Sequence, residues 1–79
     1  MTRKQKNMLT TMLKGFNARL KEFDLPTYTY ETDKYDYNSY SVVIYYHVFI
    51  SIDLDQLIEW KNKHKLTLFL GSSNYIFLY

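Results

Sequence analysis

Apolar residues recur at helical spacing along the first part of the chain. Thr2, followed by Gln5 three residues later, forms a capping-box pattern at the start of this stretch. Pro26 ends it, because proline disfavours the helical conformation of Leu25 before it. The pattern predicts a first helix between Thr2 and Pro26 with one apolar stripe. The stripe consists of Leu9, Met12, Leu13, Phe16, Leu20 and Phe23.

The period of the pattern changes to two after Pro26. Tyr28 and Tyr30 alternate with polar residues and predict a short strand from Thr27, and a polar, tyrosine-rich turn is predicted from Thr32 to Asn38. The strongest alternation in the chain follows and predicts a long, bulged, central strand. One face of this strand would contain Tyr40, Val42, Ile44, Tyr46, Val48, Ile50 and Ile52, and the other Val43, Tyr45, His47 and Phe49.

A second helix and a terminal hairpin are predicted in the last third of the chain. Asp53 is predicted as the N-cap of this helix, with Gln56 at the reciprocal position. Three lysines, at 61, 63 and 65, follow its short apolar stripe and favour a helix end there. The apolar runs 66–70 and 75–79 are separated by a four-residue loop, which is typical of a hairpin.

These elements predict a single α+β domain over residues 1–79, in the order α-β-β-α-β-β. A right-handed crossover through the second helix gives a four-stranded antiparallel sheet of order 1-2-4-3, with both helices on one face. We prefer this order because it places the apolar segment 75–79 in the middle of the sheet, where it cannot template aggregation.

The chain lacks the side chains that most enzymes use. It has no cysteine and only two histidines, His47 and His64, neither with partners at a useful spacing. Asp53 and Asp55 could form an acid/base or metal pair, but carboxylates in a first helical turn are expected for capping. Glu31, Asp33 and Asp36 are too few for a calcium loop, and no phosphate-binding glycine motif is present. We expect no catalytic residue, metal or cofactor.

The charges divide the chain into a basic and an acidic part. Residues 1–21 contain six basic residues and no acid. Four of the six lie opposite the apolar stripe of the predicted first helix, where they could contact nucleic-acid phosphates. These four are Arg3, Lys4, Lys14 and Lys21. A solvated helix face explains the same pattern.

The predicted first hairpin is acidic and rich in tyrosine, a residue enriched in protein interfaces. Its predicted protein-contact residues are Tyr28, Tyr30, Tyr35, Asp36 and Tyr37. If both helices cover one face of the sheet, the other face is open, and an exposed apolar face commonly marks an interface. On that face Tyr45, His47 and Phe49 are predicted to form a contact, and a second copy of the chain is one candidate for the partner.

Together these features favour a small non-enzymatic protein-binding module, with a nucleic-acid-binding protein as the alternative. The abundance of residues with AT-rich codons suggests a low-GC bacterium or its phage, so an inhibitor or accessory factor of the kind encoded by phages or mobile elements fits. The longest apolar stretch, Val42 to Ile52, is too short to span a bilayer, and no signal peptide is recognised. We therefore expect a cytoplasmic protein with no membrane contact.

Overall fold

The computed structural model describes all 79 residues and shows the predicted order of elements, α-β-β-α-β-β. The strands form one antiparallel sheet of order β1-β2-β4-β3, which confirms the predicted topology and places the segment 75–78 inside the sheet. No helix is long and apolar enough to cross a membrane. The elements are α1 (Arg3–Glu22), β1 (Thr29–Asp36), β2 (Ser39–Tyr45), α2 (Ser51–Lys63), β3 (Leu68–Leu70) and β4 (Tyr75–Leu78).

Helix α1 begins with the predicted capping box. The Gln5 backbone N–H donates to Thr2 Oγ1 at 3.1 Å, and the Thr2 N–H donates to Gln5 Oε1 at 2.9 Å. At the other end Asp24 adopts a left-handed conformation (φ 57°), and the Leu25 N–H donates to the Leu20 carbonyl, as in a Schellman ending. Four residues of the predicted stripe are buried, Met12 is half-buried, and Phe23 lies beyond the helix and is exposed.

Gly15 lies on the exposed side of α1, and a Cβ atom built on it has no heavy atom within 4 Å. Gly15→Ala is therefore expected to raise the free energy of unfolding by up to about 1 kcal/mol, because alanine loses less backbone entropy in a helix. Urea unfolding measures this change. The control is Gly71→Ala, where the new Cβ would lie 2.1 Å from Cζ of Tyr75 and must displace that ring. If both substitutions shift the unfolding midpoint alike, the explanation for Gly15 is wrong.

The first hairpin is longer than predicted. Strand β1 continues to Asp36, so the turn is reduced to Tyr37 and Asn38, and the prediction of a turn from Thr32 to Asn38 is wrong. This polar segment forms a strand because β2 supplies backbone partners as far as the pair Asp36 and Ser39, with a bulge between Lys34 and Asp36. Backbone pairing with a neighbour overrides a composition that is typical of a loop.

Strand β2 is shorter than predicted and ends at Tyr45, so a single strand continuing to Ile52 is wrong. Its ladder with β4 ends at the pair Tyr45 and Tyr75, where β4 itself begins. The chain then bends at His47 and Val48. Beyond the bend the alternation of the sequence continues, but no neighbouring strand is available to pair with it.

Both helices pack on the same face of the sheet and share one core. The face of β2 with Val42 and Ile44 is buried against them, as predicted, together with Ile76 and Leu78 of β4. The helices are antiparallel, because the start of α1 lies near the end of α2 and its end lies near the start of α2. The core consists of Leu9, Leu13, Phe16, Leu20, Tyr28, Val42, Ile44, Leu57, Ile76 and Leu78.

A buried polar cluster joins the two helices and Tyr28, the residue that precedes β1. Asp53 is fully buried, and its carboxylate forms an ion pair with Arg19 and accepts a hydrogen bond from the Tyr28 hydroxyl at 2.7 Å. The same hydroxyl accepts from the Ile50 N–H at 3.0 Å. Burial, followed by the hydrogen bond to Asp53, raises the pKa of Tyr28 to about 12. We call Arg19, Tyr28 and Asp53 the buried cluster.

The role predicted for Asp53 as an N-cap is wrong. Helix α2 begins at Ser51 after Ile50, which makes no side-chain capping hydrogen bond, and Asp53 lies inside the first turn. Its carboxylate is used by Tyr28 and Arg19, which lie far away along the chain. Tyr28 is held from its other side, because Asn17 forms two hydrogen bonds of 2.8 Å with its backbone. The start of β1 is thereby fixed to both helices through Tyr28, the residue that precedes it.

Candidate protein-binding surface

The sheet face opposite the helices is open. In an antiparallel sheet, residues that are directly paired across strands point to the same face. Glu31 pairs with Val43, Val43 with Phe77, and Phe77 with Phe69, so these residues form a row across all four strands on this face. Among the residues of β2 that point to this face, only the small Ser41 is fully buried. We call this side of the sheet the open face.

Aromatic side chains cover the part of the open face built by β2, β4 and β3. Tyr45 is 42% exposed, Phe69 54% and Tyr79 48%, values far above those of core residues. The rings form two neighbouring groups. Tyr75 contacts Tyr45 and Phe69, with a centroid distance of 6.4 Å to Tyr45, and Phe77 contacts Tyr79 at 5.1 Å. We call these residues, Tyr45, Phe69, Tyr75, Phe77 and Tyr79, the aromatic patch.

A glycine makes room for one ring of the patch. Gly71 follows β3, and its N–H donates to the Tyr75 carbonyl at 2.9 Å. The ring of Tyr75 covers the space where a Cβ of residue 71 would lie. Covering an edge glycine with a cross-strand aromatic ring shields the backbone from water and fixes the ring. The ring of Tyr75 therefore lies over Gly71, between Tyr45 and Phe69.

Acidic side chains form the part of the open face next to the patch. Glu31 and Asp33 pair with Val43 and Ser41 of β2, and the bulge in β1 brings Asp36 opposite Ser39. The three carboxylates therefore lie on the side of the sheet that contains Tyr45 and Phe77, and all three residues are exposed. We call Glu31, Asp33 and Asp36 the acidic row. One face combines apolar contact area with negative charge along one edge.

The residues predicted as a hairpin contact surface are divided by the structure. Tyr35 and Tyr37 are exposed near the end of the hairpin, 61% and 85% respectively, and Asp36 belongs to the acidic row. Tyr28 is buried in the core, so its predicted place on a contact surface is wrong. Tyr30 is half-buried and packs against the core.

The predicted open-face residues of the long strand are also divided. Tyr45 lies in the aromatic patch, but His47 and Phe49 follow the end of β2 and are not part of the sheet. Phe49 stacks on the ring of Tyr28 with a centroid distance of 4.2 Å and an interplanar angle of 6°. It therefore seals the buried cluster, and its prediction as an open-face contact is wrong.

Sequence reasoning missed most of the patch. Tyr75, Phe77 and Tyr79 were expected to be hidden because their segment is central in the sheet, and no contact role was predicted for Phe69. A central strand is protected at its edges, but each of its faces still needs a layer to cover it. The signal was present in the sequence, since Tyr75, Phe77 and Tyr79 alternate with the purely aliphatic Ile76 and Leu78. Only the aliphatic side faces the helices.

The basic residues of α1 lie on the other side of the molecule. Lys4, Lys14 and Lys21 are exposed, as expected for a solvated helix face. Arg3 donates a hydrogen bond to the Tyr40 hydroxyl at 3.1 Å, which lowers the pKa of Tyr40, and Lys6 lies over the same ring. These contacts explain why cations are found in a first helical turn, where the helix dipole disfavours them.

The histidines lie far apart in the fold. His47 is exposed in the bend after β2, and His64 follows α2, with its ring centroid 4.7 Å from that of Trp60. Nowhere in the chain do three or more histidine or carboxylate side chains come together in a way that could hold a metal ion.

Comparison of the chain with protein-family models, with curated protein sequences and with solved structures finds no match in any of the three.

Proposed function

We propose that this chain is a non-enzymatic protein-binding domain that contacts its partner through the open face. The observation behind this proposal is that the acidic row and the aromatic patch lie on the same uncovered face of the sheet, with the acidic row along one edge. Aromatic side chains supply large contact area with few torsions to fix and are enriched in interface cores, and tyrosine is also enriched among interface hot spots. Tyr35 and Tyr37, which are exposed near the end of the first hairpin, are proposed as further contact residues.

The partner we propose is a protein with an apolar centre and basic residues along one side. Such a surface matches the aromatic patch and the acidic row at the same time. A nucleic acid fits this face poorly, because carboxylates beside the rings repel phosphates. Open sheets that bind RNA place basic residues next to their stacking aromatics. In this protein β2, β3 and β4 contain no lysine or arginine.

Affinity capture from the native host, followed by mass spectrometry, identifies the partner, and variants then test the surface. Phe69→Ala and Phe77→Ala are each expected to weaken binding about 30-fold or more, as for a hot-spot residue worth at least about 2 kcal/mol. Glu31→Lys combined with Asp33→Lys is expected to slow association and to reverse the salt dependence of binding.

Matched controls lie outside the open face. Val48→Ala removes an exposed apolar side chain from the bend after β2, and Asp55→Lys reverses an exposed charge on α2. Both are expected to leave the affinity unchanged. Binding that survives the substitutions in the patch and the acidic row, or that is lost equally with the controls, contradicts the proposal.

The same purified protein tests two other hypotheses, a homodimer and nucleic-acid binding. Light scattering at high concentration tests a homodimer through the open face, which the patch variants would dissociate. The exposed Lys4, Lys14 and Lys21 favour nucleic acid as a second candidate. In that case generic DNA or RNA binds, affinity falls steeply with salt, and reversal of the three lysines to glutamate abolishes it.

A further inference from the structure

A second apolar surface lies between the two helices, on the side of the molecule away from the open face. Its floor is formed by Met8 and Met12 of α1 and by Trp60 of α2. Met8 is 39% exposed although it belongs to a helix that packs on the core. We call this surface the helix groove. Its other lining residues are Arg3, Lys4, Asn7, Thr11 and Gln56.

The shape of the groove suits a peptide better than a small molecule. It has a volume of about 930 Å³ and is wide open to solvent. Small ligands bind where about 70–90% of their surface is enclosed, which an open trough cannot achieve. A trough between two helices with an apolar floor is a surface on which a third helix packs, and methionine side chains adapt to the residues placed on them.

The charges around the groove select the kind of helix. Arg3 and Lys4 lie at one end, where the amino end of α1 adds the positive pole of its helix dipole. Lys63 lies beside Trp60 on α2, and Glu59 is the one acid among the neighbouring residues. The surroundings of the apolar floor are therefore mainly positive. An occupant with acidic residues along the edges of its apolar face would be attracted, and a basic one repelled.

We infer that the helix groove binds an acidic amphipathic helix of a partner protein. The contact differs from the one proposed for the open face in position, charge and mode, since it adds a helix to the helical layer. One molecule can therefore bind two partners at once, a protein with basic residues at the open face and an acidic helix in the helix groove.

Trp60 provides the test, because it is the only tryptophan of the chain and lies on the floor of the groove. The probe is a synthetic peptide of about 16 residues, long enough to form a helix on binding, with leucines on one face, glutamates flanking them and no aromatic residue. We expect a saturable blue shift of Trp60 emission. A peptide with the same leucines and flanking lysines is expected to bind at least about tenfold more weakly, as is a glutamate peptide scrambled to destroy the apolar face.

Variants of the full chain locate the site. Met8→Ser is expected to weaken binding of the glutamate peptide at least about tenfold. The double variant Lys4→Glu with Lys63→Glu is expected to do the same. The control is Ile58→Ser, which removes a side chain of similar exposure from α2 outside the groove, and circular dichroism confirms that each variant is folded. Equal binding of the lysine or scrambled peptide overturns the inference. So does a Trp60 response to duplex DNA without any to the acidic peptide, which would assign the positive end of the groove to phosphates.

Discussion

Replacing Asp53 with alanine is expected to lower the free energy of unfolding by about 3 kcal/mol, the lower end of the range for breaking a buried ion pair. The substitution leaves the buried Tyr28 hydroxyl without its acceptor and opens a cavity beneath the first turn of α2. The loss stays near the lower end because the Arg19 side chain is 38% exposed and can turn its charge toward water. A chain of 79 residues has a total stability of about 4–12 kcal/mol, so this change is a large fraction of it.

Urea unfolding followed by the fluorescence of Trp60 measures the effect. Asp55→Ala is the matched control, because Asp55 is an exposed carboxylate two residues later in the same helix. It is expected to change stability by no more than about 0.5 kcal/mol. If the two alanine variants unfold at the same urea concentration, Asp53 contributes only what any acidic residue near a helix start contributes, and the buried cluster does not stabilise the fold.

The stability of the wild-type protein is expected to fall as the pH rises from about 10 to about 12, because of Tyr28. Folding raises the pKa of this phenol to about 12 from 10.0, so the unfolded chain loses the proton first. The contribution is complete below pH 10 and is lost as the pH approaches 12. Two pH units correspond to about 3 kcal/mol at about 1.4 kcal/mol per unit.

Lysines and other tyrosines also titrate in this range, so the measurement compares the wild type with Tyr28→Phe. At pH 8 the variant is expected to be about 1–3 kcal/mol less stable, since it leaves Oδ2 of Asp53 without its donor and the Ile50 N–H without its acceptor. This difference should shrink steadily above pH 10. Tyr37→Phe removes an exposed hydroxyl, and its difference from the wild type should stay near zero. If the stability difference between the wild type and Tyr28→Phe is independent of pH, the phenol of Tyr28 has the same pKa in the folded and unfolded chain.

The order of elements and the sheet topology could be predicted from the sequence because they depend on local signals. The capping box at Thr2, Pro26 after α1 and the change of period from 3.6 to 2 are each visible within a few residues. The order 1-2-4-3 follows from the handedness of one connection and from the need to shield an apolar strand. These arguments require no knowledge of which side chains meet.

The ends of the strands could not be predicted in this way. Alternation continues from Ser39 to Ile52, yet β2 ends at Tyr45, because its neighbours β1 and β4 begin at Thr29 and Tyr75, the residues paired with Tyr45. The acidic segment at the end of β1 has the composition of a turn, and β2 makes it a strand. A strand exists only where a neighbouring strand forms backbone hydrogen bonds with it. Its ends therefore depend on the length of that neighbour, which the strand's own sequence does not reveal.

The candidate surface was predicted only in part. Tyr45 and Asp36 lie on the open face, but Tyr28 and Phe49 do not, because a buried carboxylate at Asp53 draws the Tyr28 hydroxyl inward and Phe49 stacks on its ring. A tyrosine in an alternating pattern is suited equally to a contact surface and to a core with one hydrogen-bond partner. Which of the two it adopts depends on whether an acceptor is buried nearby.

The sequence alone determined the fold class, the sheet order and the separation of basic and acidic residues along the chain. The tertiary structure decided how these residues combine. It placed the acidic row of β1 on the same face of the sheet as the aromatic rings of β2, β4 and β3, and it turned Asp53 from an expected helix cap into the centre of the buried cluster. The reason is that hydrophobic periodicity and capping act over a few residues, whereas ion pairs, strand ends and surface patches form between segments distant along the chain.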